Sequence, residues 1–127
     1  MQLIDTDVMI WYLRGNKKAR SIIDSGKPFC LSMITYMELV QGMRNNTELR
    51  SLREALRDWG TRIIYINEEI SAKAVFYIEQ FYLSGSLEMA DALIASTAVV
   101  NGLELLSGNT KHFKIIKELS LKQFRNS

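Results

Sequence analysis

The chain has 127 residues, the span of one ordinary domain, and can bury roughly two-thirds of the surface its unfolded form would expose. Hydrophobic residues at 47% and charged residues at 24% exclude an intrinsically disordered protein, and no apolar run approaches the roughly 20 residues that cross a bilayer. The net charge of +2 is too mild to establish nucleic-acid binding, but such a protein does not repel a polyanion. One cysteine, Cys30, and one histidine, His112, rule out an internal disulfide and any metal site built on thiolates or clustered imidazoles. A metal here would be held mostly by oxygen, which points to Mg2+ or Mn2+. Met1–Asp5 carries neither the basic flank nor the apolar core of a signal peptide, so a cytoplasmic location is expected.

In chain order, Gln2–Asp5 reads as a short strand ending on an acid, and Val8–Leu13 as one or two helical turns closed by Gly15. Lys17–Ser25 has Ala19, Ile22 and Ile23 at helical spacing and stops at Gly26-Lys27-Pro28. Phe29–Ser32 is a second strand, with Cys30 a small buried hydrophobe, and Ile34–Met43 a helix bearing Glu38. Asn46-Thr47 offers an N-cap for a helix with Leu49, Leu52, Leu56 and Trp59 on one face. Arg62–Ile66 is the clearest strand, rich in β-branched residues. Helices over Ser71–Tyr82 and Met89–Val100 follow, the second bearing Asp91 and stopped by Gly102. A strand at Leu103–Leu106, a short helix after Lys111 and a last strand near Leu119–Phe124 complete the chain. Strands separated by helices imply a single α/β domain over residues 1–127, with a mostly parallel sheet of four to five strands flanked by helices.

Most of the acids sit beside lysines and arginines on polar helix faces or in loops, but three do not. Asp5 ends an apolar strand, Asp91 has Ile94, Ala95 and Ala98 at i+3, i+4 and i+7, and Glu38 has Ile34 one turn before it. A buried carboxylate costs several kcal/mol unless it is compensated, and no lysine or arginine lies near Asp5 or Asp91 in the sequence. A shared divalent cation is the other compensator, and acids at strand C-termini converge at the crevice of an open α/β sheet. Each acid alone also has a plain reading. Asp5 fits an N-cap for a helix starting near Asp7, Glu38 an ordinary helix position, and Asp91 the acid that a helix N-terminus favours.

Taken together, these segments resemble the PIN-domain ribonucleases, and among them the VapC-type toxins of toxin–antitoxin pairs. Leu3-Ile4-Asp5-Thr6-Asp7 looks like the family's opening strand and first acid, and Ser32–Leu39 with Gly42 like the helix of its second acid. Asp91–Ala98 followed by Gly102-Leu103 resembles the third-acid helix, and Asn109-Thr110-Lys111-His112-Phe113 the closing motif. The resemblance implies Mg2+- or Mn2+-dependent endonucleolytic cleavage of RNA by metal-activated water. It makes Asp5, Glu38 and Asp91 the three acids, with Asp5 and Asp91 as direct metal ligands, Glu38 orienting or deprotonating the water, and Thr6 a supporting hydroxyl. Asn109 stands where many members carry a fourth acid, which brings an acceptor without a charge and puts a tightly held second metal in doubt. Asp7 or Glu88 can supply the missing charge. The resemblance further implies a cognate antitoxin and a homodimer.

Arg50, Arg53 and Arg57 form a stripe that can either track RNA phosphates or pair with Glu54 and Asp58 one turn away. Trp11, Tyr12 and Tyr36 suit core packing or a partner contact, and His112 a structural or loop role. The alternatives are an RNA-processing PIN nuclease without an antitoxin, a haloacid-dehalogenase-like phosphatase using Asp5 as nucleophile, a receiver-like signalling module, and a binding module with a decayed site.

Overall fold

Leu3 and Ile4 point to opposite sides of one strand, and both are fully buried. That alternation organises the computed structural model, which describes residues 1–127. The strands are β1 (Gln2–Ile4), β2 (Phe29–Ser32), β3 (Arg62–Ile64), β4 (Glu104–Ser107) and β5 (Leu121–Gln123). They form one sheet in the order β3-β2-β1-β4-β5, and every pairing is parallel. The helices are α1 (Thr6–Leu13), α2 (Lys17–Ile23), α3 (Met33–Gln41), α4 (Asn46–Asp58), α5 (Glu68–Phe81), α6 (Met89–Val100) and α7 (Thr110–Phe113). None is long and apolar enough to cross a membrane.

Both faces of the sheet are covered, as parallel pairing requires. Leu3, Cys30 and Leu105 pack on one side with Ile70, Ala74 and Tyr77 of α5 and Ala92, Ala95 and Ala98 of α6. The alanines let α6 lie close to its neighbours. Ile4, Leu31 and Leu106 pack on the other side with Val8 and Met9 of α1, Ala19 and Ile23 of α2, Leu39 of α3 and Leu52 and Leu56 of α4. Polar side chains fix where the helices begin. Asp5, Asn16, Ser32, Asn45 and Asn67 each accept a hydrogen bond from the first turn of the helix that follows.

Several boundaries differ from the sequence expectation, each for a local reason. β3 ends at Ile64 rather than Ile66, because its partner β2 turns into α3 after Ser32, the residue opposite Ile64. β5 is confined to the three residues facing Leu105–Ser107, while Leu119 closes a turn by donating to the Ile116 carbonyl. The cap of α4 is Asn45, one residue before the expected pair, and α5 starts three residues early because Asn67 caps it.

The chain lays down β1, β2 and β3 in one direction and then returns to place β4 on the other side of β1. The strand order reverses between β1 and β4, and ligands of open α/β sheets bind beyond the C-terminal ends of the strands at such a point.

Candidate active site

Asp5 follows β1 directly, and its N–H extends the ladder by donating to the Leu106 carbonyl at 2.9 Å. The β1–β4 register, Ile4 opposite Leu106, therefore sets Asp5 beside Ser107. Asp5 Oδ1 accepts from the Thr6 N–H at 2.8 Å, and Oδ2 accepts from Ser107 Oγ at 2.7 Å. Ser107 Oγ in turn accepts the Asn109 N–H at 3.0 Å. Capping α1 and facing the site are thus two uses of the same carboxylate. Only 5% exposed, Asp5 is pushed up to about 7 by burial first, then by the charge of Asp7, against the opposing pull of its two hydrogen bonds; the charge of Asp91 adds to the rise.

Asp7 lies on the same side. Its Oδ2 accepts from the Gly108 N–H at 2.8 Å, while its Oδ1 is buried without a partner. Burial also holds this carboxyl above its usual range. The approach explains Gly108, since a Cβ there would sit 2.5 Å from Asp7 Oδ2.

Asp91 lies in the first turn of α6, where its Oδ2 accepts the Glu88 N–H at 3.1 Å. Its side chain is half-buried, and burial raises its affinity for a proton. His112 lies beside it, with Nδ1 3.7 Å from Asp91 Oδ2. The packing of α7 on α6 brings His112 to this edge of the site. Glu38 is reached from the other flank. It is exposed on α3 and accepts from Thr6 Oγ1 at 2.6 Å, while Thr35 Oγ1 lies 3.0 Å from the same hydroxyl. Having one proton, Thr6 gives it to the carboxylate and can accept from Thr35. Asn109 caps α7 without a side-chain hydrogen bond, leaving its amide open in the trough beside Asp7.

The structure thus gathers Asp5, Thr6, Asp91 and Asn109 at the crevice, joins Glu38 to it through Thr6, and adds Asp7, Thr35, Ser107, Gly108 and His112. Three acids with raised proton affinity, one orphaned carboxylate oxygen and no lysine or arginine paired with them are oxygen donors of the kind that could hold a hard divalent cation. No three side chains already converge as a ready-made cage. A cation that binds one or two carboxylates directly and keeps several waters, as Mg2+ does, fits these residues.

Next to Glu38 a groove of about 980 Å³ runs between α1, α3 and α4, lined by Ile10, Leu13, Leu39, Met43, Leu52 and Trp59 among others. Of the two readings of the α4 arginines, ion pairing is not seen: neither Glu54 nor Asp58 forms a salt bridge with Arg50, Arg53 or Arg57. Arg53 instead approaches the Tyr36 hydroxyl at 3.4 Å. Tyr12, Trp11 and Tyr36 are partly buried against the α1–α4 core, with the Tyr12 ring edge-on to Trp59.

A model of the PIN domain family matches residues 3–119. Over 123 residues the chain is 32% identical to Ribonuclease VapC10 of Mycobacterium tuberculosis, covering 94% of this chain and 90% of that protein. It is also 32% identical to Ribonuclease VapC1 of Methanocaldococcus jannaschii over 124 residues, covering 94% of this chain and 84% of that protein. Among solved structures, a chain of a toxin-antitoxin complex from Klebsiella pneumoniae superposes with a TM-score of 0.80 at 27% identity, covering 100% of this chain and 98% of that one. These matches set aside the phosphatase and receiver alternatives: the chain belongs to the PIN domain family.

Proposed function

We propose that this protein is a VapC-type endoribonuclease, dependent on Mg2+ or Mn2+ and silenced by a cognate antitoxin. The observation that carries the reading is the uncompensated acid cluster of Asp5, Asp7 and Asp91 at the switch point, with Glu38 held at its edge by Thr6. Its relatives are named ribonucleases, which supplies the substrate class.

Asp5 and Asp91 would hold the cation, and Asp7 supplies the further negative charge that Asn109 does not. When bound, such a cation lends Lewis acidity to the scissile phosphate and acidifies water. Ser107 and the Thr6 N–H fix the Asp5 carboxylate, so its orientation is set before substrate arrives. Glu38 is exposed and oriented by Thr6, which suits it to take the proton of an attacking water. Asn109 presents a neutral amide to the phosphate or sugar.

The apolar groove between α1, α3 and α4 opens beside Glu38, so an antitoxin segment lying in it would end next to the general base. The toxin-antitoxin complex among the structural neighbours supports such a partner. The outer face of α5 and the turn after it, where Phe76, Tyr82 and Leu83 stand 54%, 63% and 85% exposed, support a homodimer through this surface.

The test is cleavage of RNA by the purified, antitoxin-free chain. Chelator should stop it, and Mg2+ or Mn2+ should restore it. Full activity in chelator would contradict the reading.

A further inference from the structure

A second groove, of about 880 Å³, lies on the α2 side of the sheet, with Ile4, Phe29, Leu106 and Phe124 in its floor. Its rim carries Lys18 of α2, Lys27 of the α2–β2 turn, Lys122 of β5 and Arg125, all exposed, and no aspartate or glutamate lines it. None of these four cations takes part in an ion pair. In a chain whose net charge is only +2, four unpaired cations around one trough are a local excess. The trough also shares a wall with a depression at the Asp7 edge of the acid cluster. Gln123, Phe124 and Arg125 line both it and this smaller depression of about 330 Å³, whose other walls are Asp7, Trp11, Gly108 and Asn109. The connecting segment is held in place, since the Phe124 N–H donates to the Ser107 carbonyl and Asn16 Nδ2 to the Asn126 carbonyl, each at 2.8 Å.

We infer that this groove is the track for the substrate strand beyond the cleavage site: RNA lying at the acids passes Asn109 and Arg125 and lays its phosphates along Lys122, Lys18 and Lys27. The inference rests on the ribonuclease reading and deepens it. The track supplies at the flank the positive charge that the acid cluster lacks, and it reads phosphate rather than sequence. Trp11, partly buried in the wall of the connecting depression, gives a base there an aromatic face to lie against. The α4 stripe of Arg50, Arg53 and Arg57 is the rival basic surface, but it lines neither of these grooves.

The experiment compares the full chain with two charge-reversed variants, Lys18→Glu/Lys27→Glu/Lys122→Glu and Arg50→Glu/Arg53→Glu/Arg57→Glu, on a single-stranded RNA of some tens of nucleotides. For the lysine variant, KM should rise about ten-fold or more at moderate salt, with the loss falling on KM rather than kcat. The slope of log KM against log salt should flatten by about 0.7 per phosphate contact removed, or about 2 for three contacts. The arginine variant, of equal net charge, should show a much smaller change. Equal effects in both variants would mean general charge steering and would overturn the track. An unchanged KM and slope in the lysine variant would also overturn it, including the case where only antitoxin binding weakens. Absence of cleavage by the parent chain would instead refute the ribonuclease reading itself, so the two failures are distinguishable.

Discussion

Replacing Asp5 by asparagine should make the metal-free protein more stable while destroying its function. The buried carboxylate is pushed up from an ordinary 3.8 to about 7 in the folded protein. Between those values the folded chain binds more protons than the unfolded one, so the stability of the wild type falls as pH rises through this window. At about 1.36 kcal/mol for each pH unit, the ionised carboxylate costs on the order of 4 kcal/mol at pH 8. Asparagine removes that charge and still offers Oδ1 to the Thr6 N–H, and its amide can donate to Ser107 Oγ. Loss of the anion at the start of α1 offsets up to about 1 kcal/mol. The expected net gain in chelator at pH 8 is therefore about 2–4 kcal/mol, or about 10 °C in Tm for a domain of this size. Near pH 5 the carboxylate penalty shrinks to under about 2 kcal/mol, as wild-type Asp5 is then protonated when folded. Millimolar Mg2+ or Mn2+ should stabilise the wild type and leave Asp5→Asn unmoved. Urea or thermal denaturation in chelator at the two pH values checks this. A variant no more stable than wild type at pH 8, or a gap that does not narrow on acidification, would refute the reasoning.

Gly108→Ala should destabilise the protein by about 1–3 kcal/mol and depress cleavage, because the new Cβ would meet Asp7 Oδ2 at 2.5 Å and break the bond from the Gly108 N–H. A Tm within a degree of wild type would show that Asp7 has room to move. Thr6→Val keeps the shape of the side chain but removes the 2.6 Å hydrogen bond to Glu38 and the partner of the buried Thr35 hydroxyl, so kcat should fall about ten-fold or more while stability drops by about 1–2 kcal/mol. An unaltered kcat would free Glu38 from any dependence on Thr6. If the chain dimerises through α5 as proposed, Phe76→Arg with Leu83→Arg, two exposed positions on and after α5, should leave it a monomer in sedimentation velocity; a sedimentation coefficient equal to that of the parent chain would contradict a dimer through this face.

The acids were legible because they are carboxylates among apolar neighbours, an arrangement that local sequence shows directly. Their uses were only half legible. For Asp5, N-cap and site residue were competing readings, yet the first turn of α1 takes one oxygen and Ser107 the other. Ser107 was invisible as a partner because it lies 102 positions away and is brought to Asp5 by the β1–β4 register. Gly108 carried no local signal for the same reason, since its contact with Asp7 also spans the crevice. His112 stood in the closing motif, but its place beside Asp91 was not readable, because it depends on how the four-residue α7 packs on α6. The layered α/β architecture was readable from the spacing of apolar segments. The ends of β3 and β5 were not, because each strand stops where its neighbour stops pairing, whatever its own β propensity.

The most direct test of the central claim is the rate at which Asp91→Asn, purified free of antitoxin, cleaves RNA at saturating Mg2+ or Mn2+. Asp91 is half-buried, lies beside the other acids and would hold the cation with Asp5, yet its fold contribution is a single hydrogen bond from the Glu88 N–H, which an amide oxygen can also accept. The expected result is a folded protein with cleavage at background. Cleavage at the wild-type rate with the same metal would contradict the assignment of the site.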